Sequence, residues 1–269
     1  MKFAIAIPAR YGSTRFPGKP LAKIAGKTML ERVLHVAKIA AEPYDASIFV
    51  ATDDQRIRDH ATELGEMCFM TPSGCPTGSD RVLSAIRQLN NWPEFIVNLQ
   101  GDAPFTPPSI IQNLFQAFEE NNHLEVITPV HRLSWHDLDR LRAKKKTTPF
   151  SGTTAIIDEN ERALWFSKTI IPSIRKEEEL RREMDFSPIH QHIGLYGFRS
   201  DVLEQFCRLS EGTYEALEGL EQLRMLENGI KIQTVSMDIE KGMIQSGIDS
   251  PEDIARAEAH ITQYGEPLV

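Results

Sequence analysis

Three short apolar runs, separated by helix-like segments, are the sequence feature that most constrains the fold of this chain. The runs Phe3–Ile7, Ser47–Ala51 and Phe95–Leu99 are too short for helices and are nearly apolar throughout. Strands of this kind are typical of parallel sheets that are covered on both faces. The sequence therefore predicts an α/β fold with a Rossmann-like, mostly parallel sheet flanked by helices.

The segments between these runs carry helix signals. Thr28 and Glu31 form a capping-box pattern at the start of one predicted helix. A second predicted helix has an apolar face formed by Val82, Ala85, Ile86 and Leu89. Because ligands of such folds bind at the carboxyl ends of the strands, we expect the site there.

The pattern becomes less regular after about residue 125, which predicts a smaller mixed β region in the second half. No internal repeat or low-complexity linker interrupts residues 1–269, so we expect a single domain. The predicted elements are strands at 125–130, 153–157 and 192–198, a helix at 215–228, a last helix capped by Ser250, and exposed charged loops at 139–150 and 173–188.

Charge and composition exclude several classes of protein. The formal net charge of −8 argues against a nucleic-acid-binding surface, which normally leaves a basic footprint. The apolar stretches are too short to cross a bilayer, and no signal-peptide pattern follows Met1. The three cysteines lack the spacing of metal ligands, which fits a reducing compartment, so we expect a cytoplasmic protein.

The first thirty residues depart from this acidic average, since they contain six cations and no acid. Segment 8–20 follows the first predicted strand and combines glycine and proline with Ser13, Arg10, Arg15 and Lys19. Glycine allows close approach of the backbone to a ligand, and arginine and lysine bind phosphate. The segment predicts a phosphate-binding loop, although an exposed basic loop would have a similar composition.

Two aspartates are candidate metal ligands. Asp102 follows the strand-like run that ends at Leu99, where an α/β sheet binds its ligands. Asp249 precedes the predicted cap of the last helix. Alone, Asp102 is equally typical of a turn, and Asp249 is more typical of a residue beside a helix cap than of a ligand. If the two converge, they form the kind of carboxylate pair that holds Mg²⁺ beside substrate phosphates.

The second half contains two further polar groups. On a single strand at 192–198, His192 and Tyr196 would lie on one face and could line a pocket or be satisfied structurally. The segment that contains Glu218, Glu221 and Gln222 is compatible with a binding surface or with a solvated helix face.

Together these segments resemble the CMP-Kdo synthetases, the 3-deoxy-manno-octulosonate cytidylyltransferases. The resemblance spans nearly the whole chain in the correct order. It is carried by Pro-Ala-Arg-Tyr-Gly-Ser-Thr-Arg-Phe-Pro-Gly-Lys-Pro (8–20), Ala-Thr-Asp-Asp (51–54), Gly-Ser-Asp-Arg (78–81), Asn-Leu-Gln-Gly-Asp (98–102), His-Ile-Gly-Leu-Tyr-Gly (192–197), Leu-Glu-Gln-Leu-Arg (220–224) and Gly-Ile-Asp-Ser-Pro-Glu-Asp (247–253).

The resemblance implies a homodimeric nucleotidyltransferase with an α/β fold, in which residues 1–125 mainly bind nucleotide and residues 126–269 mainly form the acceptor pocket and the dimer contact. Such an enzyme transfers CMP from CTP to a 2-keto-3-deoxy sugar acid with Mg²⁺ as cofactor. The nucleotide-binding residues would be Pro8, Ala9, Arg10, Ser13, Arg15, Lys19, Ser79, Arg81 and Gln100. The catalytic residues would be Arg10, Lys19, Asp102 and Asp249, with Asp102 and Asp249 as the metal ligands. The acceptor-binding residues would be Gln100, Arg175, His192, Tyr196, Glu221 and Gln222.

The chain departs from the family pattern beside the predicted acceptor pocket. Gln191 replaces the usual arginine before the strand histidine, and Ala103 replaces the usual glutamate after Asp102. The stretch 148–157 lacks the usual lysine. A cytidylyltransferase for another acidic acceptor, such as an 8-amino relative of Kdo, therefore remains an alternative, as does a nucleotide-binding homologue without activity.

Overall fold

The computed structural model describes residues 1–13, 15–238 and 247–265. Its strands are β1 (Phe3–Ala9), β2 (Lys23–Ile24), β3 (Lys27–Thr28), β4 (Ser47–Thr52), β5 (Met67–Met70), β6 (Phe95–Asn98), β7 (Val126–Ser134), β8 (Thr153–Ile157), β9 (Ala163–Ser167), β10 (Phe186–His192), β11 (Tyr196–Arg199) and β12 (Ile232–Ser236). Its α-helices are α1 (Met29–Ala41), α2 (Gln55–Glu63), α3 (Gly78–Ile86), α4 (Pro108–Glu120), α5 (Trp135–Lys145), α6 (Glu177–Glu183), α7 (Ser200–Cys207), α8 (Thr213–Glu218), α9 (Gln222–Glu227) and α10 (Pro251–Tyr264). None of the helices in these ranges is both long and apolar enough to cross a bilayer.

The chain forms two compact units. The first comprises the described residues of Met1–Gln116, Gly197–Cys207 and Glu240–Val269, and the second those of Ala117–Tyr196 and Arg208–Ile239. Residues 1–116 and 247–265 thus both contribute to the first unit, apart from residue 14, which lies outside the described residues. The expectation of a single domain stays a prediction.

The first unit contains the predicted parallel sheet, with strands in the order β5-β4-β1-β6-β11. Strand β1 pairs in parallel with β4 and β6, and β4 pairs in parallel with β5. The side chains of β1 are buried from Phe3 to Ile7, as the continuous apolar run predicts. The α/β fold with a mostly parallel sheet is therefore confirmed.

Strand β1 continues through Pro8 to Ala9, two residues beyond the apolar run that ends at Ile7. The carbonyl of Ala6 accepts from Leu99 N at 2.9 Å, so Ala6 faces β6, and Pro8, two residues on, faces the same side. The last pair of β1 with β6 is Ala6 with Asn98. Because Pro8 lies beyond this pair, its missing N–H removes no bond from the ladder.

Helix starts in the first unit follow the sequence signals. The Thr28 hydroxyl accepts from Glu31 N at 3.1 Å and the Glu31 carboxylate accepts from Thr28 N at 3.3 Å, which completes the capping box. The last helix begins after Ser250 with Pro251 in its first turn, as predicted. Helix α3, which corresponds to the second predicted helix, ends at Ile86, so Leu89 lies outside it.

The second unit contains a mixed sheet in the order β7-β10-β8-β9, with β12 on the other side of β7. Pairings β7–β10, β10–β8 and β8–β9 are antiparallel, whereas β12 is parallel to β7. The predicted mixed β region of the second half is confirmed. Strand β8 coincides with the predicted strand 153–157, and β7 extends the predicted strand 125–130 to Ser134.

Two predicted elements of the second unit are wrong because the backbone turns within them. The strand expected at 192–198 is broken between His192 and Tyr196, where Ile193 N donates to Pro129 O at 3.0 Å and Leu195 N donates to Ile193 O at 2.6 Å. The helix expected at 215–228 is broken at Gly219, which adopts a φ of 62° that favours glycine.

The predicted loops 139–150 and 173–188 are also wrong, since much of them forms α5 and α6. The Ser134 hydroxyl caps α5 by accepting from Asp137 N at 3.1 Å. Arg142 makes two 2.7 Å hydrogen bonds to the Glu177 carboxylate, and Arg181 bonds both Glu177 and Asp139 at 2.7 Å. The charged residues that suggested loops therefore join two short helices.

This network predicts a pH-dependent contribution to stability. Hydrogen bonds from Arg142, together with those from Arg181, lower the pKa of Glu177 from 4.5 to about 2. The contribution of the Glu177 carboxylate is therefore present above pH 4.5 and is lost as the pH falls towards 2. We expect Glu177→Gln to lower the free energy of unfolding more at pH 7 than at pH 3, measured by urea unfolding.

The matched control is Glu178→Gln, an exposed position on the same helix. We expect the control to change the free energy of unfolding by less than about 0.5 kcal/mol at either pH, as is usual for surface positions. Equal destabilisation by Glu177→Gln at pH 7 and pH 3 would contradict the prediction.

Candidate active site

An apolar cluster in the first unit brings together three segments that are distant in sequence. Its buried members are Ile24, Met29, Phe105, Ile248 and Ala257, with Phe16, Ile254 and Ile261 packed against them. Full burial of such side chains contributes about 1.5–3 kcal/mol for each large one. The cluster therefore fixes the basic loop, the segment after β6 and the start of α10 beside one another.

Three charged side chains from the segments that this cluster joins lie close together. Lys19 Nζ lies 2.8 Å from Asp102 Oδ2 and 3.6 Å from Asp249 Oδ1. Arg15 also approaches Asp249, with 3.3 Å between its Nη2 and Oδ1. The Asp102 carbonyl accepts from Ile248 N at 2.9 Å, which ties the two aspartate segments through their backbones. The two carboxylates predicted as a pair thus share one ammonium group.

Glycine is required where the segment after β6 passes the end of β1. A Cβ atom on Gly101 would lie 2.8 Å from Pro8 O, a distance that real Cβ atoms essentially never show. The absent side chain permits the backbone next to Asp102 to approach β1 closely. This approach places Asp102 beside the start of the basic loop.

The aromatic ring of Tyr11 anchors the basic loop. The Arg56 guanidinium stacks 3.3 Å from the ring centroid, and the Asp54 carboxylate holds it with hydrogen bonds of 2.9 and 2.6 Å. Gly18 packs against the same ring, since a Cβ there would lie 3.1 Å from Tyr11 Cζ. Gly18 N also donates to Tyr11 O at 2.9 Å. The ring therefore holds the two ends of the segment between residues 11 and 18.

The predicted nucleotide-binding residues of the first unit lie at the carboxyl ends of β1 and β6 and at the start of α3. Arg10 is exposed directly after β1, and Ser13 Oγ accepts from Phe16 N at 3.3 Å. Gln100 Nε2 donates to Asn98 Oδ1 at 3.2 Å, and Asn98 Nδ2 donates to Ser79 Oγ at 3.4 Å. A polar chain therefore links the end of β6 with α3.

Arg81 is buried, and its guanidinium group contacts two side chains of the protein. Its Nη1 donates to Thr71 Oγ1 at 2.6 Å, and its Nη2 lies 3.2 Å from Asp53 Oδ2. Only 3% of the residue is exposed. The structure therefore gives Arg81 a role in joining α3 to the segments that follow β4 and β5, next to its predicted role in nucleotide binding.

In the second unit, a buried polar cluster surrounds His192. Thr128 Oγ1 lies 2.8 Å from His192 Nε2 and donates its only hydrogen to Leu195 O at 2.7 Å. Because that hydrogen is used, Nε2 of His192 must be the donor, which leaves Nδ1 as an acceptor. Burial, and to a smaller extent the positive charge of Lys168, lowers the pKa of His192 to about 3. The ring is therefore neutral at physiological pH.

Tyr196 and Gln222 belong to the same unit. The rings of His192 and Tyr196 lie 5.3 Å apart, so the turn between β10 and β11 brings them together. Burial and the nearby Glu221 carboxylate raise the pKa of Tyr196 well above its usual value. Gln222 is 4% exposed, and its Nε2 has no hydrogen-bond partner among the described residues. An unsatisfied buried donor costs about 1–3 kcal/mol, so Gln222 Nε2 is a candidate donor to a ligand.

Two residues of this cluster, Glu218 and Lys168, are not among the predicted acceptor-binding residues. The Glu218 carboxylate accepts from Ser167 Oγ at 2.7 Å and from Lys168 N at 2.8 Å. Lys168 is half-buried, and burial lowers its pKa. The segment 218–222 is not a solvated helix face, because the Glu218 carboxylate is hydrogen-bonded and Gln222 is buried. No sequence spacing predicts contacts between residues fifty positions apart, so these contacts come from the fold.

Arg175 stands apart from these residues. It is exposed in the segment before α6, and no hydrogen bond or ion pair within the described ranges joins it to the cluster around His192. Its predicted role in acceptor binding stays a prediction.

The residues of the first unit fit a divalent cation. Asp102 and Asp249 already share one cationic group, and their side chains are 34% and 49% exposed. Two carboxylates beside a phosphate-binding loop are the donors that Mg²⁺ uses together with substrate phosphates. No cluster of three or more His, Cys, Asp or Glu side chains within the described ranges offers an all-protein metal cage.

Known proteins that are similar to this chain over most of its length are cytidylyltransferases. A family model described as cytidylyltransferase matches residues 4–232. The 3-deoxy-manno-octulosonate cytidylyltransferase of Maricaulis maris is 43% identical over 266 residues, which cover 99% of each chain. The protein of the same name from Chlamydia trachomatis serovar L2 is 35% identical, over 95% of this chain and 92% of that protein.

Solved structures show the same fold. A structure described as CMP:2-keto-3-deoxy-manno-octonic acid synthetase complexed with CTP has a TM-score of 0.82, with 31% identity over 98% of this chain and 99% of that chain. A cytidylyltransferase from Leptospira borgpetersenii matches with a TM-score of 0.63 and 18% identity over 100% and 90% of the two chains, a likeness of fold alone. The chain therefore belongs to the 3-deoxy-manno-octulosonate cytidylyltransferase family of nucleotidyltransferases.

Proposed function

We propose that this protein transfers CMP from CTP to Kdo, a 2-keto-3-deoxy sugar acid, releases pyrophosphate, and so supplies activated sugar for lipopolysaccharide or other surface-sugar biosynthesis. One observation supports this proposal most directly: the carboxylates of Asp102 and Asp249 both lie close to the Lys19 ammonium group, beside the basic loop. The family membership supports both substrates, since the solved relative is described with CTP and the curated relatives are named for the sugar acid.

The reaction is an in-line displacement at the α-phosphorus of CTP. The anomeric oxygen of the acceptor forms a bond to the α-phosphorus and releases its proton to water. The bond from the α-phosphorus to the bridging oxygen breaks, and pyrophosphate leaves with that oxygen and the electron pair. Negative charge grows on the phosphoryl oxygens and on the leaving group. Arg10, Arg15 and Lys19 stabilise this charge, so catalysis rests on positioning and electrostatics.

Asp102 and Asp249 are proposed to hold Mg²⁺. When bound, the ion supplies positive charge to the phosphate oxygens. Lys19 Nζ lies 2.8 Å from the Asp102 carboxylate and 3.6 Å from the Asp249 carboxylate and offsets part of their negative charge. Ser13, Ser79, Arg81 and the backbone of Pro8 and Ala9 are proposed to complete the nucleotide site, together with Gln100.

The cluster of the second unit is proposed to bind the acceptor. The neutral His192 offers Nδ1 as an acceptor for a sugar hydroxyl, and the buried Gln222 amide offers an unsatisfied donor. The Glu221 carboxylate is a further acceptor for hydroxyl groups. The carboxylate of the sugar acid needs a cation, which the half-buried Lys168 or the exposed Arg175 can supply.

A pyrophosphate-release assay with a panel of acceptors tests the proposal. We expect release from CTP only when Kdo is present, with little release from ATP, GTP or UTP. The departures from the family pattern at Gln191, Ala103 and 148–157 support the alternative of another acidic acceptor. Turnover with an 8-amino relative of Kdo, but not with Kdo itself, would establish that alternative. Binding of CTP without turnover on any acceptor would indicate a non-catalytic homologue and refute both proposals.

We further propose a homodimer built through the second half of the chain and a cytoplasmic location. Exposed apolar side chains of the second unit support the first, with Leu164 55% and Leu217 73% exposed. Three free cysteines, all only partly exposed, fit a reducing compartment. Mass measurement in solution, by light scattering, tests the dimer, and a monomer at micromolar concentration would exclude it.

A further inference from the structure

We propose that Lys145 is a positioning residue for acceptor binding, acting through Lys168. Its ammonium group ties the chain segment before β8 to the segment after β9, and both segments adjoin the cluster around His192. This inference rests on the proposed function and assigns a role to a residue outside the motifs that carry the family resemblance.

The ammonium group of Lys145 sits among backbone carbonyls. It donates to Ser151 O at 2.7 Å, Gly152 O at 3.0 Å and Lys168 O at 2.5 Å, with Pro149 O at 3.3 Å. An ammonium has three hydrogens, so these four acceptors use its full capacity. Lys145 therefore links two segments that are sixteen or more residues apart in sequence.

The backbone of Lys168 is held at both its carbonyl and its amide group. Lys145 binds its carbonyl, and Glu218 Oε2 accepts from its amide N at 2.8 Å. The preceding Ser167 is bound to the same carboxylate, with 2.7 Å from its Oγ to Glu218 Oε1. The position from which the Lys168 side chain extends is thus fixed, and the charge of Lys168 acts on His192.

The other end of the link also leads to His192. Gly152 precedes Thr153, which pairs with His192 in the register of β8 and β10. Lys145 therefore joins the strand next to His192 with the residue whose charge reaches His192. Lys145 and Lys168 also place two ammonium groups near one carboxylate, that of Glu218, and this excess of positive charge suits an acidic acceptor.

Steady-state kinetics of Lys145→Met with Lys146→Met as control test the inference. Lys146 is the adjacent lysine, is exposed, and loses the same charge in its variant. We expect Lys145→Met to raise KM for the acceptor about ten-fold or more, because hydrogen bonds to a charged group are lost. We expect KM for CTP and kcat to change less than about three-fold, and Lys146→Met to match the wild type.

A conservative variant separates positioning from folding. Lys145→Arg keeps the charge and several donors, so we expect it to recover part of the acceptor affinity, with urea unfolding of all three variants run in parallel. An unchanged acceptor KM in Lys145→Met would overturn the inference while the proposed function stands. A uniform fall in kcat together with higher KM for both substrates and reduced stability would reduce Lys145 to a structural role. Absence of turnover in the wild type would refute the proposed function and the inference with it.

Discussion

Replacement of Asp102 or Asp249 by asparagine is expected to lower kcat for pyrophosphate release about 10³-fold, which corresponds to about 4 kcal/mol of transition-state stabilisation. Asparagine keeps the size of the side chain but removes the charge that a divalent cation requires. Removal of the cation from the wild type by a chelator is expected to have the same effect, and added Mg²⁺ is expected to restore the activity. The measurement is a coupled pyrophosphate assay at saturating CTP and acceptor.

The control variant for these two is Asp45→Asn. Asp45 is exposed and adopts a φ of 47°, a conformation that asparagine tolerates well. We expect the control to keep wild-type activity. The fold should persist in Asp249→Asn, because the helix cap depends on Asp253, whose Oδ2 accepts from Asp249 N at 2.7 Å and from Ser250 N at 3.0 Å. Full activity in both site variants would refute the metal assignment.

The first unit was predictable because its signals are local. Continuous apolar runs gave β1, β4 and β6, and the Thr28–Glu31 capping box marked the start of α1. The proximity of Asp102 and Asp249 could only be stated as a condition, because 147 residues separate them and an apolar cluster joins their segments. The fold supplies this convergence, and the metal-binding role of the pair stays a prediction.

The second unit was less predictable because its turns and contacts are tertiary. Gly219 breaks the expected helix, and the buried pair Glu215–Arg224 holds the two halves together. Helix α6 is only seven residues long and is too short to be stable alone. Its contacts with α5 through Glu177 stabilise it, and a charged sequence gives no sign of them.

Replacement of Arg224 by methionine is expected to lower the free energy of unfolding by about 3–5 kcal/mol, since it leaves a buried carboxylate without its partner. Arg224 Nη2 and Nε bond Glu215 Oε1 and Oε2 at 2.5 and 2.7 Å, and the two side chains are 9% and 8% exposed. The Glu215 carboxylate also accepts from Gly212 N at 2.9 Å. The measurement is the urea dependence of unfolding at pH 7.

The pair joins α8, which carries Glu218, to α9, which carries Gln222, a proposed acceptor-binding residue. Arg87→Met is the control, since the ion pair of Arg87 with Glu204 is 51% and 29% exposed and is expected to contribute less than about 1 kcal/mol. The double variant Glu215→Leu/Arg224→Met is expected to be more stable than Arg224→Met alone, because it removes the unpaired charge. A loss below about 1 kcal/mol in Arg224→Met would show that the buried ion pair does not stabilise the junction of α8 and α9. A double variant that is less stable than Arg224→Met would show that the unpaired Glu215 carboxylate is not the cause of the loss.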